Sequence, residues 1–275
     1  METTGKYDPE FAQKVLRRFE WLGSEKRFFE NFIITGRNNL LENSDRQRIY
    51  IANHQSHMDY ALTWLEFHRQ EIKMPMIPAG SNLNQPFLKN IGLDLGRLGA
   101  YFIDRDLMKT NSKESTKQKK EAIRVTRDII DRGQDLLVFP EGGRSYNGNL
   151  FEKYNTGALR SALHKQKDLD IVPIAFAYDN RVEEKFLDTM KRGNRKTLLG
   201  KLQYYGADAF AYFINRPIAK AIGCDVGNAY MNIGKPRPLS DITGFLDLTK
   251  GRKIESVKKF SIEEINRLYD EIKTE

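Results

Sequence analysis

The sequence predicts an α/β protein: a mostly parallel central sheet flanked by helices, with an amphipathic helical element at the N-terminus. Three observations carry that expectation. Short apolar runs of strand length alternate with longer segments of helical periodicity, the pattern of a parallel sheet. Two of those runs, Ile49-Tyr50-Ile51-Ala52 and Leu136-Leu137-Val138, stop at dense polar clusters, as strands do when their ends build a site at one sheet edge. Ahead of them, from about Pro9 to Ile34, apolar residues recur at helical spacing.

In that first stretch Phe11, Val15, Leu16, Phe19 and Leu22 keep the helical period. Phe28, Phe29, Phe32 and Ile33 repeat it beyond Gly23-Ser24, so two short amphipathic helices joined by a turn are expected. They either cap the core or, with Lys14, Arg17, Arg18, Lys26 and Arg27 beside their aromatics, dock on a lipid headgroup layer. Ile49 to Ala52 reads as a strand, Tyr60 to Arg69 as a helix and Met76 to Ala79 as a second strand. Pro86 to Ile91 opens a helix, and Ala100 to Ile103 is a strand ending in Asp104-Arg105-Asp106. Lys113 to Arg132 is helical through Ala122, Ile123, Val125, Thr126, Ile129 and Ile130, with Gly133 as its stop. Its lysines from Lys113 to Lys120 read as a solvated face. Leu136 to Phe139 and Ile171 to Tyr178 are strands, and Pro173 inside the latter implies an edge or a bulge. Ala229 to Ile233 is a late strand closed by Gly234-Lys235-Pro236. A last helix is expected from about Ile262 to Ile272, with Ser261 as N-cap and Glu263 and Glu264 in its first turn. The chain therefore divides into N-terminal helices (1–45), an α/β domain (46–240) and a C-terminal helical tail (241–275).

With 275 residues, 40% of them hydrophobic and 30% charged, the chain has an ordinary globular composition and can bury a large core. Its net charge of +8 favours anionic partners: phosphorylated metabolites, anionic headgroups, acidic carrier proteins or nucleic acid. Charge is the whole case for nucleic acid. No nucleic-acid module is recognisable, and no basic stripe interleaves with aromatics near the polar clusters. A single cysteine, Cys224, excludes an internal disulfide and a cysteine-based metal site, and it fits a reducing, cytoplasmic setting. No run approaches the ~18 apolar residues of a membrane span; the best candidate, Tyr204 to Ile214, is short and contains Asp208. The first residues lack a signal-peptide layout. A soluble protein, or one bound to a membrane surface without crossing it, is expected.

The segment Asn53-His54-Gln55-Ser56-His57-Met58-Asp59 carries the most chemistry. A histidine held by a carboxylate is a general base for stripping a proton from a hydroxyl. A spacing of five is not a helical face. It works if His54 sits in the strand-to-helix turn and Asp59 in the first helical turn, reaching back. A histidine packed structurally near an aspartate is the alternative. A histidine-rich metal site is not supported, because only His68 and His164 remain elsewhere. Ser56 has no nucleophile elbow around it, and His57 reads as a packing residue of the turn. Arg105, at the end of a strand, reads as a surface ion pair with Asp104 or Asp106, or as a phosphate ligand. Glu141-Gly142-Gly143-Arg144-Ser145 is more specific. Two glycines allow a tight turn and close ligand approach, Arg144 offers a planar fork for phosphate oxygens, and Glu141 accepts from a hydroxyl or orients Arg144. No nucleotide P-loop pattern is present.

Four blocks in order resemble the glycerolipid acyltransferase superfamily: Asn53-His54-(x4)-Asp59, Gly99 to Arg105, Phe139 to Ser145, and Ile171 to Ile174. They span about residues 50 to 175, with weaker similarity to Gly234-Lys235-Pro236. The resemblance implies an O-acyltransferase of phospholipid biosynthesis. His54 would deprotonate the acceptor hydroxyl and Asp59 would orient His54. Arg105, Glu141, Gly142, Gly143, Arg144 and Ser145 would bind the acceptor, and backbone amides would stabilise the oxyanion. It implies no metal and no cofactor beyond the co-substrate, acyl-CoA or acyl carrier protein thioester. The blocks around Asp59 and Glu141 are similar to enzymes acting on the sn-1 hydroxyl of glycerol 3-phosphate. Phe102-Ile103-Asp104-Arg105 is similar to lysophosphatidate acyltransferases, which act at sn-2. Glycerol 3-phosphate is the expected acceptor and lysophosphatidate the alternative. The expected location is cytoplasmic, peripheral on the cytoplasmic membrane face. A non-catalytic lipid- or anion-binding protein is the competing class.

Overall fold

A computed structural model describes residues 7–21, 24–42, 45–56, 58–84, 89, 92–145, 148–164, 169–180, 220–221, 223, 225–244 and 249–274. His57, Cys224, most of the helix expected at Pro86 to Ile91 and the apolar segment from Tyr204 to Ile214 lie outside the described residues.

The strands are β1 (Phe32–Thr35), β2 (Arg48–Ala52), β3 (Ile77–Gly80), β4 (Ala100–Ile103), β5 (Leu136–Val138), β6 (Asp170–Tyr178), β7 (Ala229–Ile233) and β8 (Arg237–Pro238). The main sheet has the order β1-β7-β6-β2-β5, with β8 beside β6. β2 is parallel to both β5 and β6, whereas β7 is antiparallel to β6 and parallel to β1. The parallel pair β3-β4 is continuous with this sheet through one bridge, Met76 to Leu136, in which Met76 N–H donates to Asp135 O and Leu137 N–H to Met76 O. The C-terminal ends of β2, β3, β4, β5 and β6 therefore share one edge, and those of β1 and β7 lie at the other.

The helices are α1 (Pro9–Trp21), α2 (Ser24–Phe28), α3 (Met58–Arg69), α4 (Arg105–Met108), α5 (Lys113–Asp131), α6 (Gly157–Ala162), α7 (Leu239–Thr243) and α8 (Lys250–Thr274). Side chains alternate across the sheet as the pleat requires. Tyr50, Ala52, Val172, Ile174 and Phe176 pack on one face against Ala12 and Leu16 of α1 and Leu62 of α3. Ile49, Ile51, Ile171, Ala175 and Ala177 pack on the other against Val125 and Ile129 of α5 and Ile254, Val257 and Ile265 of α8. β2 is buried along its whole length because strands flank it and helices cover both faces, which explains its unbroken apolar run. Ser112 caps α5, its Oγ accepting from Ser115 N–H at 3.0 Å, and Gly133 at φ 69° ends it. The lysines at 113, 117, 119 and 120 are exposed, and so is Ile123. Among the described residues no helix is long and apolar enough to cross a membrane.

Two local expectations need correction. Phe32 and Ile33 do not extend a second amphipathic helix; they belong to β1, which pairs with β7. Ser261 is not an N-cap, because α8 starts at Lys250; its hydroxyl donates to Lys258 O and meets Tyr154 Oη at 2.7 Å. Pro173 is not on an edge strand but faces a bulge: between the pairs Ile171–Arg237 and Ile174–Ile233, residues 172–173 of β6 oppose residues 234–236, one residue more. It sits within β6, opposite the gap where β7 gives way to β8, and its carbonyl accepts from Gly234 N–H. Its ring nitrogen faces that same gap, so the ladder with β2 loses no donor. α1 buries Ala12, Val15 and Leu16 in the core and leaves Lys14, Arg17 and Arg18 exposed, which is the core-capping arrangement.

Candidate active site

β2 ends at Ala52 and the chain turns through 53–56 into α3. Asn53 secures the turn: its side-chain amide donates to Phe176 O at 2.9 Å, and its Oδ1 accepts from Phe176 N–H at 2.7 Å. This reciprocal pair extends the β2–β6 ladder by one side chain and holds the next residue, His54, at the sheet edge. Asp59 lies in the first turn of α3 and reaches back as its spacing requires. Its Oδ2 accepts from His54 Nδ1 at 2.8 Å, from Gln55 N–H at 2.8 Å and from Ser56 N–H at 3.0 Å. Asp59 is fully buried and the His54 side chain is 13% exposed, so the carboxylate is screened from water while the imidazole reaches it. An ionised carboxylate only accepts, so Nδ1 carries the proton in this bond and Nε2 holds the basic lone pair of the neutral ring.

The loop after β5 adjoins this turn through two backbone groups. Glu141 Oε1 accepts from His54 N–H at 2.9 Å, and Ser145 N–H donates to His54 O at 2.7 Å. The ring of Phe139 lies 4.5 Å from that of His54. Burial, with the charges of Asp59 and Glu152, pushes the Glu141 carboxyl up to about 7 against the pull of the His54 N–H. Gly142 is left-handed at φ 68°, and a Cβ there would stand 2.6 Å from Asn155 Nδ2. Asn155 pins the loop from behind: its N–H donates to Pro140 O and its side chain to Glu141 O. Gly143 faces open space. Ser145 Oγ donates to Asn149 O and accepts from Gly148 N–H, so it braces the loop.

His54, Asp59, Glu141 and Ser145 thus form one connected cluster, with Gly142, Gly143 and Arg144 between the last two. Arg105 opens α4 just after β4, on the same sheet edge; its side chain lies outside the described residues. Among the described residues no group of three or more His, Cys, Asp or Glu converges as metal ligands. Two members escaped the sequence reading. Asn53 stands in the His54–Asp59 block of the sequence, which by itself assigns it no role. Tyr178, whose hydroxyl donates to Asp59 Oδ1 at 2.5 Å, closes an apolar strand that ends on the same edge. That terminal position is the one signal for it. A cavity of about 840 Å³, lined by Asn39, Glu42, Lys235, Arg267 and Leu268 among others, opens at the opposite edge and contains none of these residues.

A family model described as acyltransferase matches residues 31–177. The chain is 29% identical over 197 residues to the glycerol-3-phosphate acyltransferase of Alteromonas mediterranea. That match covers 70% of this chain but 22% of the relative, which is a much longer protein. The fold is similar to the crystal structure of the 1-acyl-sn-glycerophosphate (LPA) acyltransferase, PlsC, from Thermotoga maritima. The TM-score is 0.53 at 19% identity, over 98% of this chain and 85% of the other.

Proposed function

Since the chain belongs to the acyltransferase family, we propose that it moves a fatty acyl group from an acyl thioester to the sn-1 hydroxyl of glycerol 3-phosphate. The observation that carries this reading is the His54–Asp59 pair: a base with its proton-bearing nitrogen fixed at 2.8 Å from a buried carboxylate. His54 Nε2 takes the proton of the acceptor hydroxyl as its oxygen attacks the thioester carbonyl. Asp59 stabilises the resulting imidazolium. The tetrahedral oxyanion is met by the backbone N–H of Gly143, where open space allows approach; the N–H groups of Gly142 and Ser145 are already given to Phe139 O and His54 O. Collapse breaks the carbon–sulfur bond, and the departing thiolate recovers the proton from His54. Arg105 and Arg144 take the acceptor phosphate, with Gly142 and Ser145 shaping the loop around it. Glu141, with its carboxyl near 7, is partly neutral at physiological pH and repels a phosphate less than an ordinary carboxylate would.

The donor is acyl-CoA or an acyl carrier protein thioester. Product leaves into lipid, so the enzyme works peripherally on the cytoplasmic membrane face, a reading that the net charge of +8 supports. The test is thiol release from both donors, with glycerol 3-phosphate and lysophosphatidate run in parallel and His54→Ala as control. Release that needs glycerol 3-phosphate and His54 supports the proposal. Dependence on lysophosphatidate instead moves the activity to the sn-2 hydroxyl. Silence with every pair, from folded protein, favours a non-catalytic lipid- or anion-binding protein.

A further inference from the structure

Asp59 is held from both of its oxygens. Three donors converge on Oδ2, and the hydroxyl of Tyr178 takes Oδ1. We propose that Tyr178 is a positioning residue for the base: its hydroxyl locks Asp59 so that Oδ2 stays aimed at His54 Nδ1, and it draws off part of the charge that His54 feels. The inference rests on the reading of His54 as general base.

The geometry requires some such device. The last torsion of an aspartate is broad, and donors gathered on one oxygen leave the carboxylate able to swing about it. A donor on the second oxygen removes that freedom. The phenol must be the donor, since the ionised carboxylate only accepts, and an O–H to O⁻ distance of 2.5 Å belongs to the short, charge-assisted class. Tyr178 is itself fixed. It ends β6, paired with Ala229 of β7, and its ring lies 5.7 Å from that of buried Phe29, just after α2. Phenylalanine would satisfy all of that packing. The hydroxyl is the part that packing does not explain.

The electronic consequence has a definite sign. A phenol on Oδ1 delocalises the Asp59 charge, so the imidazolium gains less from its partner. Removing the phenol makes His54 more basic. Among the described residues, the ionisable groups acting on the pair include Glu141, whose carboxylate holds the His54 N–H, and Glu152, whose charge acts on Glu141. Neither changes identity in the variants below.

The experiment uses the full chain, Tyr178→Phe and a variant with 3,5-difluorotyrosine at 178, whose phenol is the stronger donor. Three quantities are read: thiol-release kinetics, the His54 titration by NMR in ¹⁵N-histidine protein, and the unfolding midpoint. Four histidines make the spectrum assignable with His54→Ala as reference. For Tyr178→Phe, kcat is expected to fall about 10- to 100-fold with KM for the acceptor within about twofold. The His54 titration should move up by about half a unit, and down in the difluorotyrosine variant. A folded Tyr178→Phe with unchanged kcat and an unmoved titration overturns the proposal. Should that variant not fold, an unmoved His54 titration in the difluorotyrosine protein overturns it alone. Wild-type turnover independent of His54 would instead sink the functional reading, and the titration would still report whether Tyr178 acts on His54.

Discussion

At Asp59 the identity of each hydrogen-bond partner dictates what a substitution does. Two backbone N–H groups and His54 Nδ1 demand an acceptor at Oδ2, whereas Tyr178 can rotate its hydroxyl to accept from whatever replaces Oδ1. Asparagine at 59 can therefore keep the geometry by turning its oxygen toward His54 and its amide toward Tyr178. It loses only the charge. Asp59→Asn is expected to lower kcat/KM by about 10²–10⁴-fold while leaving the denaturant midpoint near wild type. Steady-state thiol release with parallel unfolding curves checks this, and activity within tenfold of wild type would show that the carboxylate charge is idle. The spacing of His54 and Asp59 was legible because both lie in one strand-to-helix turn. Tyr178 was not, since 119 residues separate it from Asp59 and only the β2–β6 pairing unites them. Glu141 was legible as a member of the site, but its bond to the His54 backbone exists only once β5 lies beside β2.

The loop after β5 shows how an element aims its residues. Gly142 and Gly143 are adjacent, and sequence treats them alike. The structure separates them: Gly142 is left-handed, with Asn155 packed where a Cβ would go, and Gly143 faces open space. Gly142→Ala should cost about 1–3 kcal/mol in urea unfolding and displace the carboxylate of Glu141 from His54, lowering turnover. Gly143→Ala should stay within about 0.5 kcal/mol of wild type. Equal losses from the two would refute the asymmetry. The same dependence on neighbours accounts for the elements that were misread. Phe28, Phe29, Phe32 and Ile33 keep a helical period, yet the last two pair with Ala229 and Tyr230 of β7, and a local pattern carries no record of a strand so distant. Ser261 resembles a helix cap, but Ile254 and Val257 carry the buried stripe of α8 past it on the N-terminal side.

Over the whole molecule, the alternation of strands and helices announced a parallel sheet, but not its order or the reversal of β1, β7 and β8 against the rest. That order matters for charge, because it places a carboxyl pushed above its ordinary value near each sheet edge. Asp135, just before β5, is pushed up to about 6, and Glu141, just after it, up to about 7, each by burial first. A carboxyl raised above its unfolded value contributes stability that is complete below about pH 4 and is lost as pH rises through the folded value. Both groups therefore make the protein less stable between pH 5 and pH 8. Meanwhile a molecule of net charge +8 gains positive charge on acidification, and that self-repulsion works in the opposite direction. A pH series on wild type alone mixes the two. Glu141→Gln separates them: glutamine keeps an oxygen to accept from His54 N–H and cannot ionise, and the repulsion is nearly common to both proteins. Its stability relative to wild type should rise between pH 5 and pH 8 by on the order of 1–3 kcal/mol, most steeply between the ordinary carboxyl value and about 7, and should level off above that. Chemical denaturation of both proteins across that range measures the difference, and a flat difference would mean that Glu141 titrates as an ordinary exposed carboxylate.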